Sequence, residues 1–202
     1  MKVRVWAIAL VLLFATAVAH AGKDGPGTKA VRAANDTIAA LLQKKADPGS
    51  AEEKEQAAKV TTSVRGFLDV DELGKRSLAG HWDKLTDAQR KEFLDLLRGL
   101  IEDNYVKGLR ANLEYKVVYK SESAQTDGTR LVKTEIKTKR RGRPYTIKVD
   151  YVLQKTGTTW KCYDVVTDGV GLVENYRAQF DKIIAKDGFD GLIAKMKKKR
   201  SA

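Results

Sequence analysis

Apolar residues recur along this chain with two different periods, and the change from one to the other divides it. From about Thr28 to Lys45, Val31, Ala34, Ile38 and Leu41 share one face at helical spacing. Ala46-Asp47-Pro48-Gly49 ends that run. Ser50, with Glu53 three places on, predicts a capping box opening a second helix, largely polar and so solvated on its outer face. Val70, Leu73, Leu78 and Trp82 follow at roughly helical spacing. Thr86 and Gln89 predict another capping box, for a long helix reaching about Leu109 whose stripe is Phe93, Leu97, Leu100, Ile101, Tyr105 and Leu109.

The period then drops to two. Leu113, Tyr115, Val117 and Tyr119 alternate with mostly polar neighbours, as do Val132, Thr134, Ile136 and Thr138. Tyr145, Ile147, Val149, Tyr151 and Leu153 give the clearest run, and Trp160 to Val166 a fourth. Asp127-Gly128, Gly142-Arg143-Pro144 and Thr156-Gly157 supply the turns between them. Links this short imply an antiparallel meander. Helical spacing returns at Gly171 or Leu172, with Leu172, Val173, Tyr176, Phe180, Ile183 and Ile184 on one side. Asp187-Gly188 closes that helix, and Phe189, Leu192, Ile193 and Met196 mark a short last one before a basic tail, Lys197 to Arg200. The expected fold is α+β: an antiparallel sheet of four strands or slightly more, with helices over one face.

The first residues change the picture of where this fold works. Lys2 and Arg4 precede an uncharged apolar run, Val5 to Val18, and Ala19-His20-Ala21 is a small-x-small site. That pattern predicts a signal peptide over residues 1–21, cleaved after Ala21, since the run is shorter than the ~20 residues a span needs. Residues 22–202 then form one exported domain, with a flexible Gly-rich leader from Gly22 to Gly27 and the basic tail at its other end. Loss of Lys2 and Arg4 takes the formal charge from +12 to +10, which favours acidic partners, and export excludes nucleic acid as one of them. Cys162, the single cysteine, is expected to be a small buried apolar residue on its strand.

Candidate chemistry is sparse. His81 is the one histidine beyond the signal segment, and its place beside Trp82 suggests a surface or capping role. One Cys and one His cannot complete a structural zinc site, and no G-x-S-x-G elbow appears. The carboxylate pairs Asp69 with Asp71 and Asp164 with Asp168 suit turn capping better than acid–base work. The expectation is a protein that is not an enzyme, holds no metal or cofactor, and is monomeric.

Trp160, Tyr163, Asp164, Val165, Gly169, Val170, Leu172, Val173, Asn175, Tyr176, Arg177, Gln179 and Phe180, extended by Gly188, Asp190, Leu192 and Ile193, carry a more specific signal. This block resembles the C-terminal signature of the Mla-type, or toluene-tolerance, periplasmic phospholipid-binding proteins, W-x-x-Y-D-V-x-x-x-G-V-S-L-V-x-N-Y-R-x-Q-F. Gly171 stands where that family has Ser, and Glu174 where an uncharged polar residue is common. Farther upstream, Leu78 and Trp82 resemble its L-G-x-x-W segment, with Ala79 in place of Gly, and Thr86, Gln89, Arg90 and Phe93 resemble its T-x-x-Q-R-x-x-F.

The resemblance implies a carrier exchanging phospholipid between an outer-membrane lipoprotein–porin complex and an inner-membrane ABC transporter complex with its substrate-binding membrane protein, keeping the outer membrane asymmetric. Such a carrier needs a dry cavity. Each acyl CH₂ removed from water is worth about 0.8 kcal/mol, so two chains represent on the order of 20 kcal/mol. Candidate lining residues on the sheet are Tyr115, Val117, Tyr119, Ile136, Ile147, Val149 and Tyr151. On the helices they are Phe67, Leu73, Leu78, Phe93, Leu97, Ile101, Tyr105, Val173, Tyr176 and Phe180. Each is equally suited to an ordinary core. Asn175, Arg177 and Gln179 either hold the strand–helix junction together, the favoured reading because polar side chains at junctions commonly bond local backbone, or stand near a headgroup or docking surface. Lys137, Lys139, Arg140, Arg141 and Arg143 form a basic cluster that either protects a sheet edge or docks on acidic partners. The rival expectation is a secreted enzyme or small-ligand module on a related cone-shaped α+β fold with a polar cavity.

Overall fold

A computed structural model describes residues 24–42, 46–108, 115–140 and 142–201. The expected signal segment, Gly22 and Lys23 of the leader, Leu109, Leu113 and Arg141 lie outside the described residues, as do the side chains of Tyr105 and Arg140. The elements run α1 (Pro26–Leu42), α2 (Ala51–Phe67), α3 (Val70–Leu78), a 3-10 segment (Ala79–Lys84), α4 (Asp87–Gly108), β1 (Tyr115–Ala124), β2 (Arg130–Arg140), β3 (Arg143–Thr156), β4 (Thr159–Thr167), β5 (Val170–Gly171) and α5 (Leu172–Arg200). The strands form one antiparallel sheet in chain order, β1-β2-β3-β4-β5, so the fold is α+β as expected, with a short fifth strand that the alternation does not reveal.

Local chemistry sets the helix boundaries. At the start of α2 the Ser50 hydroxyl accepts from the Glu53 amide at 3.1 Å, and the Glu53 carboxylate accepts from the Gly49 amide at 2.7 Å. At α4 the box is reciprocal: Thr86 Oγ1 accepts from the Gln89 amide (3.3 Å) and Gln89 Oε1 from the Thr86 amide (3.0 Å). The last two expected helices meet at Gly188, whose φ of 71° and ψ of 178° interrupt α5 with a kink only glycine adopts without strain.

Three carboxylates tie the helix layer to the sheet. Glu122 of β1 accepts from the Gly27 and Thr28 amides at 3.1 and 2.7 Å, at the start of α1. Asp164 of β4 accepts from the Val173 amide at 3.1 Å in the first turn of α5. Asp69 caps α3 through the Glu72 amide (3.1 Å), while Gln154 Nε2 and Thr156 Oγ1 of β3 donate to it at 3.1 and 3.3 Å. In each case a negative charge meets the positive end of a helix dipole. Glu122 reaches α1 because β1 carries a bulge. Tyr119 pairs Thr134 but Ser121 pairs Lys133, so Lys120 is extra and Glu122 faces the same side as Tyr119. The leader is therefore held from Asp24 onward: α1 begins at Pro26, and a Cβ at Gly25 would collide with the Glu122 carboxylate.

The carboxylate pairs act as structural groups. Asp71 bonds Arg98 at 2.6 Å, and Asp168, in a left-handed turn at φ 48°, accepts from the Lys148 amide at 3.0 Å. His81 pairs with Asp181 at 3.0 Å on the surface, bridging the 3-10 segment to α5. Cys162 is buried, and burial raises its thiol pKa well above the usual range. Glu122→Ala is expected to cost about 1.5–3 kcal/mol, the range for charge-assisted hydrogen bonds. A denaturant titration reads this as a lower midpoint, and Gly25→Ala is expected to shift it the same way, because the displaced carboxylate loses its bonds.

Candidate functional site

Strand register places the sheet candidates on one face. Val117, Ile136 and Ile147 stand in one row across β1, β2 and β3, and Tyr119, Thr134 and Val149 in the next. Tyr151 pairs Val132 on one side and Val165 on the other, one row farther along. Tyr115 lies two rows from Tyr119, beside Thr138. Over this face lie α1 and α2. Phe67, the last residue of α2, meets the Tyr151 ring edge-on at 6.2 Å between centroids. Val31 and Ile38 of α1 and Val60 and Val64 of α2 are buried in the same cluster.

The wall is not wholly apolar. Asn35, on the inner side of α1, is 2% exposed and donates from Nδ2 to the Tyr119 hydroxyl at 2.9 Å. The Arg32 guanidinium, paired with Asp24, sits 4.0 Å from the centre of the Tyr119 ring. Tyr151 is fully buried, and its hydroxyl has no hydrogen-bond partner among the described residues. Asn35, Tyr119 and Tyr115 are its electrostatic neighbours; the Asn35 amide, which bonds Tyr119, also favours the ionised phenol as a weak hydrogen-bonding group would, but makes no bond of full geometry to it. The Tyr115 hydroxyl is likewise buried and unpartnered. Burial pushes the pKa of both phenols far up, so both remain neutral donors across any physiological pH.

The helix candidates divide. Phe67 belongs to the sheet-facing wall. Phe93 of α4 and Phe180 of α5 instead pack edge-to-face at 5.4 Å, with Tyr176 stacked on Phe180 at 5.4 Å. Leu97 and Phe93 close on α3 at Gly74, where a Cβ would come within 3.1 Å of each. Leu73, Leu78, Ile101 and Val173 are buried in the continuous core. The junction of α3, α4 and α5 is thus filled by side chains. Burial raises the Tyr176 hydroxyl pKa to about 12. Of the polar signature residues, Arg177 donates to the Arg76 carbonyl at 2.8 Å, a structural role, while the buried Gln179 Oε1 has no partner.

Residues 32–198 match the model of the MlaC protein family. The chain belongs to that family. It is 24% identical over 143 residues, 70% of this chain and 67% of the relative, to the intermembrane phospholipid transport system binding protein MlaC of Haemophilus influenzae. Its fold is similar to that of a Ralstonia solanacearum phospholipid-binding protein solved in complex with a phospholipid. That match has a TM-score of 0.72 at 21% identity and covers 88% of this chain and 98% of the other.

Within this MlaC-family chain, the candidate lining omits Asn35, Val60, Val64, Val132 and Val165 of the sheet-facing wall, although the alternation of β2 places Val132 on the face of Ile136. Asn35 also carries a readable signal: it falls four residues after Val31 and three before Ile38, so a polar side chain interrupts the apolar stripe of α1. Val60 and Val64 were hidden in a helix whose composition is mostly polar. Tyr151→Phe in the ligand-free protein is expected to leave stability unchanged or raise it by up to about 1 kcal/mol, because it removes a buried hydroxyl without a partner. Denaturant unfolding checks this, and a loss above about 1 kcal/mol would reveal a partner for that hydroxyl.

Proposed function

We propose that this protein is a periplasmic phospholipid carrier. Exported and cleaved after Ala21, it exchanges phospholipid between an outer-membrane lipoprotein–porin complex and an inner-membrane ABC transporter complex with its substrate-binding membrane protein, maintaining outer-membrane lipid asymmetry. It acts as a monomer and performs no covalent chemistry. Membership of the MlaC family supports this reading, as do the phospholipid transport named for the Haemophilus relative and the phospholipid held by the Ralstonia protein of similar fold.

The observation that carries it is the sheet face under α1 and α2. Aliphatic and aromatic side chains line that face in consecutive rows, with neutral polar groups among them, and the carboxylate on the same face, Glu122, is taken up by the amides at the start of α1. Burial against acyl chains is favoured there by apolar area alone, and neutral hydroxyls avoid the large penalty of a charge facing hydrocarbon. The lining in this reading is Phe67 with Tyr115, Val117, Tyr119, Ile136, Ile147, Val149 and Tyr151. Leu78, Phe93, Tyr176 and Phe180 brace the helices that cover it. Lys137, Lys139 and Arg143, at the exposed end of the β2–β3 hairpin, offer cations to acidic partner surfaces.

Native mass spectrometry of protein purified from the periplasm tests the function. Diacyl phospholipid is expected to co-purify with the wild type. Val149→Glu, which sets a charge in the middle of the lining, is expected to abolish lipid retention while leaving export intact. A wild-type protein free of lipid, with catalytic turnover or a bound small polar ligand instead, would overturn the reading.

A further inference from the structure

A folded protein rarely leaves a phenol hydroxyl buried without a partner, because the hydroxyl gives up its bonds to water and gains none in return. Here two such hydroxyls, on Tyr115 and Tyr151, belong to the same sheet face. Tyr119, between them in the register, has its hydroxyl satisfied by Asn35 and its ring fixed under Arg32. The pattern is one satisfied tyrosine holding a helix in place, flanked by two with free donors.

We propose that the Tyr115 and Tyr151 hydroxyls donate to the acyl ester carbonyls of a bound diacyl phospholipid, and so set how deep the lipid sits. This rests on the phospholipid reading and names the part of the ligand that the wall recognises. Chemistry favours the ester over the phosphate. A phosphate drawn to Tyr151 would enter a fully buried site where the groups acting electrostatically on the phenol are neutral: Asn35, Tyr119, Tyr115 and Cys162. The nearby cation, Arg32, is already engaged with Asp24 and the Tyr119 ring. An ester carbonyl is an uncharged acceptor, and it satisfies a phenol donor without bringing charge into the interior. Two donors also match the two carbonyls of a diacyl lipid.

The test uses competition rather than simple binding. Full-length protein, exported and purified, is stripped of lipid and offered an equimolar mixture of a diester phosphatidylglycerol and its diether analogue with the same chain carbons, and the bound fraction is read by native mass spectrometry. The diether keeps the tails, glycerol and phosphate but lacks both carbonyls. The wild type is expected to prefer the diester by roughly two- to tenfold, the factor given by one or two neutral hydrogen bonds. Tyr115→Phe and Tyr151→Phe are each expected to reduce that preference, and the double variant to bring the ratio near one while still binding both lipids. Circular dichroism of the ligand-free variants checks that they fold. Equal uptake of the two lipids by the wild type, or a preference that survives in the double variant, overturns the assignment and leaves the carrier reading standing. Failure of the wild type to take up either lipid sinks the carrier reading and this assignment with it.

Discussion

The relation between the two layers depends on carboxylates seated at helix N-termini. Glu122 from β1 holds α1, Asp164 from β4 holds α5, and Asp69, itself gripped by β3, caps α3. Helix starts carry unpaired amides and a partial positive charge, so one carboxylate satisfies donors and dipole together. Burial raises the Asp164 pKa, and the amides of Leu172, Val173 and Val165 oppose that shift by favouring its charged form. These tethers act at the ends of the helices. The middle of the interface is thereby freed from fixing the layers, and it can hold side chains chosen for something other than cohesion.

That division of labour explains why the apolar inventory falls into two parts. At the junction of α3, α4 and α5, Phe93, Phe180 and Tyr176 stack and interlock, and Gly74 lets two helices approach without a side chain between them. Under α1 and α2 the sheet instead presents tyrosines whose hydroxyls are buried, one bonded and two not. A unit built only for stability would replace such phenols with phenylalanine, since an unmet donor in a low-dielectric interior is a cost without return. Their presence on this face gives the wall a chemical character that packing alone does not require.

The outer side of the same sheet follows a different logic. Lys116 stands directly across from Lys137, an arrangement that like charges disfavour, while Glu135 faces Lys148 and Lys133 faces Asp150 to offset part of it. The positive excess of the chain is therefore partly organised as a basic sheet surface, facing away from the apolar wall.

The sequence by itself determined the order and type of the main helices and of the first four strands, but not the two-residue β5 or the 3-10 segment. Helical stripes, capping boxes at Ser50 and Thr86, turn residues and the period-two run of β3 are local signals, and each appears where its residues predict. The signature from Trp160 to Ile193 likewise named the family, because it fixes many positions at once. Tertiary structure alone decided which apolar residues share the sheet face under α1 and α2 and which fill a helix junction, since Phe67 and Phe93 look alike in a linear pattern. It also decided the role of Glu122: one extra residue at Lys120 reverses the side-chain parity of β1 and turns a carboxylate inward to meet α1, a partner more than ninety residues away. Periodicity reports which side of an element a residue occupies. A register shift or a long-range cap depends on what lies across the gap, and that is set only when the layers meet.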